Sequence, residues 1–283
     1  MPVRPAPRPE RSRLRPGRMN RTHTIKARPP RNRDRGFFAP PLPRIFAHRG
    51  LAIGAPENTL LAFRKALDAG ATHIETDVHA TRDGVAVISH DPDLARLVGR
   101  SARIEQFTMA ELRRIRLGDD QSFVSLHDAL DGFPDVLFNV DVKSARAVLP
   151  TTQAIMQTRA VDRVLITSFS RGRRRATVDR LPGVASSASS DQVLRVVAAA
   201  RLGLTWLVRR LTRDFDALQI PERYRIFRLV TPRVVRAMHA CGVEVHVWTV
   251  NDPVDMSRLL KMGVDGLITD RCDLARELVD SRA

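Results

Sequence analysis

Residues 73–90 read His-Ile-Glu-Thr-Asp-Val-His-Ala-Thr-Arg-Asp-Gly-Val-Ala-Val-Ile-Ser-His. The stretch holds two β-rich runs, His73–Val78 and Val85–His90, with too little chain between them for a crossover helix. The connection ends in Thr81-Arg82-Asp83-Gly84, and Asp-Gly is a strong signal for a two-residue hairpin turn. The two runs are therefore expected to pair antiparallel, the second as an arm. With Asp83 and Gly84 as the turn, Asp77 falls opposite His90.

Outward from this pair, strand-like runs alternate with helical patterns. The other runs are Ile45–His48, Val136–Lys143, Val164–Phe169, Val184–Ala188, Ala217–Ile220, Val243–Val250 and Gly266–Thr269. The helical patterns include 59–69, 109–115, 125–130, 171–179, 192–200, 232–240, 254–262 and 274–279. Such alternation implies parallel strands joined by crossover helices. Nine strands are one too many for an eight-stranded barrel, and setting the hairpin arm aside leaves eight. Residues 44–283 have about the ~250-residue length typical of a (β/α)8 TIM barrel. A doubly wound sheet fits less well, because no Gly-rich phosphate loop follows the first strand.

The segment before residue 44 differs in kind. Residues 1–44 hold twelve Arg and one Lys against Glu10 and Asp34, which is +11 of the formal +16, and ten of the eighteen prolines. With so few apolar residues, residues 1–43 are expected to be a disordered basic tail. The tail reads either as an arm for anionic surfaces or as a solvated extension, and Met19 is a second candidate start. No apolar stretch in it suits a secretory signal. The longest apolar region, Val193–Leu211, is interrupted by Arg195, Arg201, Arg209 and Arg210 and cannot cross a bilayer. Two cysteines are too few for a disulfide framework, so a cytoplasmic protein is expected. No feature points to specific nucleic-acid binding.

Active sites of such barrels lie at the C-terminal ends of the strands. There the first strand ends in His48-Arg49-Gly50, the second carries Glu75 and Asp77, and the third barrel strand carries Asn139, Asp141 and Lys143. Side chains alternate along a strand, so Glu75 and Asp77 share a face, about 6.6 Å apart, as do Asn139, Asp141 and Lys143. Ile74, Val78, Val140 and Val142 take the opposite face, toward the helices. The acidic row has two readings. One is a buried ion-pair network with Arg49 and Lys143. The other is a cation site, whose all-oxygen donors Glu75, Asp77 and Asp141 suit Mg²⁺ or Ca²⁺. The hairpin returns His90 toward the acids, on the other side from His48. Two histidines flanking a phosphate are what general acid–base cleavage of a phosphodiester needs.

The successive motifs Ala47-His48-Arg49-Gly50, Pro56-Glu57-Asn58-Thr59, Ile74-Glu75-Thr76-Asp77-Val78 and Ser89-His90-Asp91-Pro92 resemble those of the glycerophosphodiester phosphodiesterase family. So do Asn139-Val140-Asp141-Val142-Lys143, Val247-Trp248-Thr249-Val250-Asn251 and Gly266-Leu267-Ile268-Thr269-Asp270. The resemblance spans about residues 44–275. It implies a (β/α)8 barrel that cleaves glycerophosphodiesters to glycerol 3-phosphate and an alcohol with one bound Mg²⁺ or Ca²⁺. It makes His48 and His90 the catalytic pair and Glu75, Asp77 and Asp141 the metal ligands. Arg49 and Lys143 would hold phosphate oxygens, and Trp248 would stack on the glycerol end. Asp141 stands where the family usually has Glu, and His127 where it tends to have an acid.

The segment Ser189–Asp216 is long for a βα connection. It reads either as an amphipathic membrane-surface lid or as an outer barrel helix. The lid reading, like the basic tail, would accompany a peripheral membrane enzyme acting on lysophospholipids or intact phospholipids, in the manner of a phospholipase D. A catalytically silent binding barrel is disfavoured by the presence of His48, His90, Glu75 and Asp77 together.

Overall fold

The computed structural model describes Met1 and residues 36–281. All nine strand-like runs form strands: β1 (Arg44–His48), β2 (His73–Ala80), β3 (Ala86–Ile88), β4 (Leu137–Val142), β5 (Val164–Thr167), β6 (Ala185–Ser186), β7 (Ala217–Pro221), β8 (Glu244–Trp248) and β9 (Gly266–Thr269). The sheet runs β6-β5-β4-β2-β1-β9-β8-β7, every neighbour parallel. A parallel bridge between Ser187 and Ala217 joins the two edges. This is the expected (β/α)8 barrel, with β3 paired antiparallel on β2 as its arm.

The register of that arm differs from expectation by one residue. Val78 faces Ile88, and Ala80 faces Ala86, so Asp77 stands opposite Ser89, whose N–H donates to the Asp77 carbonyl. The reason lies in the turn. Thr81 N–H reaches Val85 O at 3.0 Å, leaving three loop residues, Arg82, Asp83 and Gly84, with Gly84 at φ 77°. A three-residue loop places glycine in the left-handed position at its end. The Asp83 carboxylate accepts from Thr81 Oγ1 at 2.5 Å and from Met109 N–H at 3.1 Å, which holds the longer turn.

The strands are amphipathic across the barrel wall. Ile74, Val78, Val140 and Val142 are buried in the main core between strands and helices. Phe37, Phe46, Leu165, Ala217 and Ile268 form a separate cluster that fills the interior. A third cluster, Val87, Leu94, Ile104, Met109, Leu112 and Phe123, packs the arm against residues 93–123 and so fixes where the arm ends. The crossover helices are α1 (Leu60–Asp68), α2 (Leu126–Gly132), α3 (Val148–Gln157), α4 (Arg171–Val178), α5 (Ser190–Leu202), α6 (Thr205–Leu211), α7 (Pro232–His239), α8 (Pro253–Met262) and α9 (Cys272–Asp280). The sequence pattern does not announce α3. Pro150 and the β-branched pair Thr151-Thr152 weaken its helical look, but Pro150 lies in the first turn, where an N–H has no partner to lose.

Residues 36–43, expected to belong to the tail, are placed against the barrel. Phe37 is buried under the barrel, its ring 4.6 Å from that of His73, and its carbonyl is 2.9 Å from His73 Nε2. Arg44 donates to the Phe38 and Pro40 carbonyls. One buried aromatic and these backbone contacts are enough to order residues 36–43. The rest of the tail lies outside the described residues.

Ser189–Asp216 resolves into α5 and α6. Val196, Val197, Ala199, Ala200 and Val208 are buried, as befits outer barrel helices, while Leu194, Leu202 and Trp206 are exposed. No helix among the described residues is long and apolar enough to cross a membrane.

Candidate active site

Strand register assembles the site. His48 is level with Glu75 on the neighbouring strand, Glu75 with Asn139, and Asp77 with Asp141. Five residues from three neighbouring strands thus form a polar row toward the barrel axis, with His48 at its end. Arg49 and Gly50, both at positive φ (61° and 83°), turn the chain sharply after β1. A Cβ on Gly50 would stand 2.7 Å from the backbone of Ala62, so glycine is required for β1 to close onto α1. The turn also brings the Arg49 N–H to Glu75 Oε2 at 3.2 Å.

His48, Arg49, Glu75, Asp77, His90, Asn139, Asp141, Lys143 and Trp248 line one cavity of about 560 Å³. Every residue singled out from the sequence for a catalytic, phosphate or metal role is therefore gathered in one place. His127 is not: it sits partly exposed on α2, 3.8 Å from its neighbour Asp128, away from the residues lining the cavity.

Each histidine has its own carboxylate. His48 Nδ1 is 2.7 Å from Asp270 Oδ1, and Asp270 is held by the Asn251 side chain through Nδ2 (2.7 Å) and Oδ1 (2.9 Å to the Asp270 N–H). His48 Nε2 turns toward Glu75, 4.0 Å away. Burial works against a charged His48, but the Asp270 hydrogen bond and the Glu75 charge outweigh it and raise its pKa above the ordinary value. His90 Nδ1 is 2.8 Å from Asp91 Oδ1. Asp91 in turn accepts from Arg96, and Arg96 clasps Glu57.

The acids are buried and unequal. Burial, reinforced by the Asp77 charge, lifts Glu75 well above the usual carboxylate range. Asp141 is raised for the same two reasons, against the pull of Lys143. Asp77 is equally buried but is held low by Lys143 and Arg49. Lys143 Nζ stands 2.7 Å from both Asp77 Oδ1 and Asp141 Oδ2, and burial notwithstanding, these two charges raise its pKa. Asp77 Oδ2 also accepts from Asn58 Nδ2. Asp141 Oδ1, Asn139 Oδ1 and Arg49 Nε are buried without a hydrogen-bond partner. Among the described residues no three His, Cys, Asp or Glu side chains are already drawn together as a coordination shell.

The glycerophosphoryl diester phosphodiesterase family matches residues 48–274. The chain belongs to that family. A probable glycerophosphodiester phosphodiesterase 2 of Mycobacterium tuberculosis is 44% identical over 238 residues, 83% of this chain and 90% of its own. A glycerophosphodiester phosphodiesterase of Caldanaerobacter subterraneus is 29% identical over 243 residues, 80% of this chain and 93% of its own. The fold also matches an Oleispira antarctica phosphodiesterase solved in complex with the product sn-glycerol-3-phosphate, with a TM-score of 0.69 and 24% identity over 84% of this chain and 97% of that one.

In this phosphodiesterase the cavity has a second, apolar side. Phe169, Val193, Leu194, Ile220, Tyr224 and Leu229 give it an apolar lining. Trp248 meets Phe169 edge-on with ring centroids 6.0 Å apart, and Lys143 Nζ lies 5.8 Å from the Phe169 centroid.

Asp270, Asp91, Asn251 and Asn58 were present in the sequence motifs but carried no assigned role. A signal existed for two of them. Asp91 directly follows His90, and Asp270 is the first residue past β9, at the rim where barrel chemistry sits. Asn251 and Asn58 act through other side chains, which a linear pattern does not reveal.

Proposed function

We propose that the enzyme hydrolyses glycerophosphodiesters to glycerol 3-phosphate and an alcohol by general acid–base catalysis, with a divalent cation, Mg²⁺ or Ca²⁺, at Glu75, Asp77 and Asp141. One observation carries the reading. Two histidines, each with Nδ1 on its own carboxylate, face one cavity that also holds three buried acids. A carboxylate on Nδ1 keeps the proton there and leaves Nε2 free to exchange one with the substrate. One ring takes the proton of the attacking oxygen as the P–O bond to the leaving alcohol weakens, and the other protonates that alcohol. Arg49 and Lys143 supply fixed positive charge for the phosphate oxygens, and Trp248 offers its ring to the glycerol end.

The donor set fits a hard cation. All three acids offer oxygen, Asp141 Oδ1 lacks a partner, and Glu75 is held toward its neutral form by burial and by Asp77. A bound cation would neutralise phosphate charge and supply the positive charge that three buried carboxylates require. The test is hydrolysis of glycerophosphocholine and glycerophosphoethanolamine before and after exhaustive chelation, with Mg²⁺ or Ca²⁺ restored. Activity should vanish with the metal and return with it. Full activity after chelation would overturn the cation assignment, and no hydrolysis of any glycerophosphodiester would overturn the reaction.

The apolar wall of Phe169, Val193, Leu194, Ile220 and Leu229 favours a second substrate class for the same chemistry. Lysophospholipids place an acyl chain on the glycerol, and such a wall would accept it.

A further inference from the structure

Between β7 and α7 the chain makes a small excursion that the chemistry above leaves unused. Residues 223–228 read Arg-Tyr-Arg-Ile-Phe-Arg. Arg223-Tyr224 pairs antiparallel with Phe227-Arg228, and Arg225 turns at φ 53°. All six residues are exposed, with Ile226 at 86%, Phe227 at 56% and Tyr224 at 52%. Two residues per strand with no third strand leave these side chains only partly covered. Three large apolar groups side by side in water mark a surface meant to be covered.

Charge says what covers it. The remaining three residues of the hexapeptide, Arg223, Arg225 and Arg228, are arginines. Glu222 is within 4.0 Å of Arg223 and Arg228, but it also pairs with Arg258 at 2.6 Å, so one carboxylate serves three guanidinium groups. Arg225 lies over the Tyr224 ring at 5.7 Å. An apolar protein partner would have to strip water from these arginines. A lipid headgroup layer would not, because it offers phosphate at the level of the guanidinium groups and acyl chain at the level of Tyr, Ile and Phe.

Position gives the purpose. Tyr224 lines the same cavity as His48 and His90, and so do Leu194 and Phe169. These last two are 59% and 57% exposed, so the apolar surface runs from the mouth of the cavity to the hairpin. Arg201 of α5 donates to the Arg228 carbonyl, tying the helix that carries Leu194 to the base of the hairpin.

We propose that residues 223–228 are an interfacial docking hairpin that seats the mouth of the active site on an anionic phospholipid surface. Tyr224, Ile226 and Phe227 enter the boundary between headgroups and acyl chains, and Arg223, Arg225 and Arg228 engage the phosphates. Its value to catalysis rests on the proposed phosphodiesterase reading, but docking itself is measured without turnover.

The test uses the full chain with phosphatidylcholine vesicles, pure or containing phosphatidylglycerol, and the double variant Ile226→Asp/Phe227→Asp. The wild type should co-sediment with the anionic vesicles. The double variant should lose about 10-fold or more in partitioning while hydrolysing soluble glycerophosphocholine as before, since neither residue lines the cavity. Undiminished binding by the variant would overturn the hairpin in favour of the basic residues 1–35, and no binding by the wild type would overturn it outright. Concentration-dependent dimerisation abolished by the variant, without vesicle binding, would assign the surface to a second copy instead. Should the double variant misfold, Ile226→Trp decides: its added emission should be quenched by brominated acyl chains, and emission unaffected by them overturns the proposal. A wild type that binds vesicles but cleaves no glycerophosphodiester would leave docking standing and remove the proposed reaction.

Discussion

Lys143 Nζ lies 2.7 Å from Asp77 Oδ1, a side-chain link between two strands whose backbones already pair at Asp77 and Asp141. The same nitrogen reaches Asp141 Oδ2 at the same distance. Lys143 therefore answers the expectation of an ion-pair network and faces the cavity at once. Lys143→Met should lower kcat by ~10²-fold, as for loss of one charge-stabilising donor, and lower the melting temperature by removing a counter-charge from buried acids. Steady-state kinetics at saturating metal check the first part. An unchanged kcat in a destabilised variant would make Lys143 purely structural.

The histidine pairs predict a graded series. His48→Ala and His90→Ala should each lower kcat by roughly 10²–10⁴-fold with little loss of stability. Asp270→Ala and Asp91→Ala should lower it less, because the ring remains while its Nδ1 anchor is lost. Thermal melts alongside kinetics separate chemistry from folding. A His90 variant with near-normal kcat would remove it from the proton-transfer pair.

The floor of the barrel predicts an effect of truncation. Phe37 is buried against His73 and Phe46, so Phe37→Ala should cost about 3 kcal/mol. Deletion of residues 1–43 removes the same ring and should lower the melting temperature comparably. Denaturant titration of both proteins tests this, and a deletion variant as stable as the full chain would show the floor to be dispensable.

Below the site, Arg44 and Glu244 form a buried two-pronged pair, 2.8 Å at each contact. Burial opposes ionisation of Glu244, but hydrogen bonds from Arg44 and His246 outweigh it and bring its pKa down to about 2. The folded value lies below the unfolded one, so this stabilisation is complete above about pH 4.5 and is lost as pH falls toward 2. The shift corresponds to about 3 kcal/mol. Glu244→Gln should be less stable than wild type at pH 7, and the difference should shrink on acidification between pH 4.5 and 2. A constant difference across that range would mean the pair contributes through shape rather than charge.

The barrel was legible because period-2 alternation and turn chemistry are local. The nine strands follow from short apolar runs set between turns and helical patterns, and the inward face of β2 and β4 follows from parity. The hairpin register was not, because Asp-Gly ends a three-residue loop as readily as it fills a two-residue one, and the choice rests on Asp83 bonding to Met109, 26 residues away. Helix α3 was hidden by Pro150, whose tolerance depends on where the helix begins. The chemistry-bearing residues were legible as types, since acids and histidines at strand ends are costly without a purpose. Their partners were not. Asp270 meets His48 across 222 residues, and only barrel closure brings them together.

That closure sets an order of events during synthesis. β1 pairs with β9, so the first strand made waits for the last. A nascent chain that has not yet emitted residue 270 lacks the anchor of His48, one of the two neighbours of β1 and the final wall of the barrel. Such a chain would lack Asp270 beside His48, so full hydrolytic competence is expected only once the last strand has closed on the first.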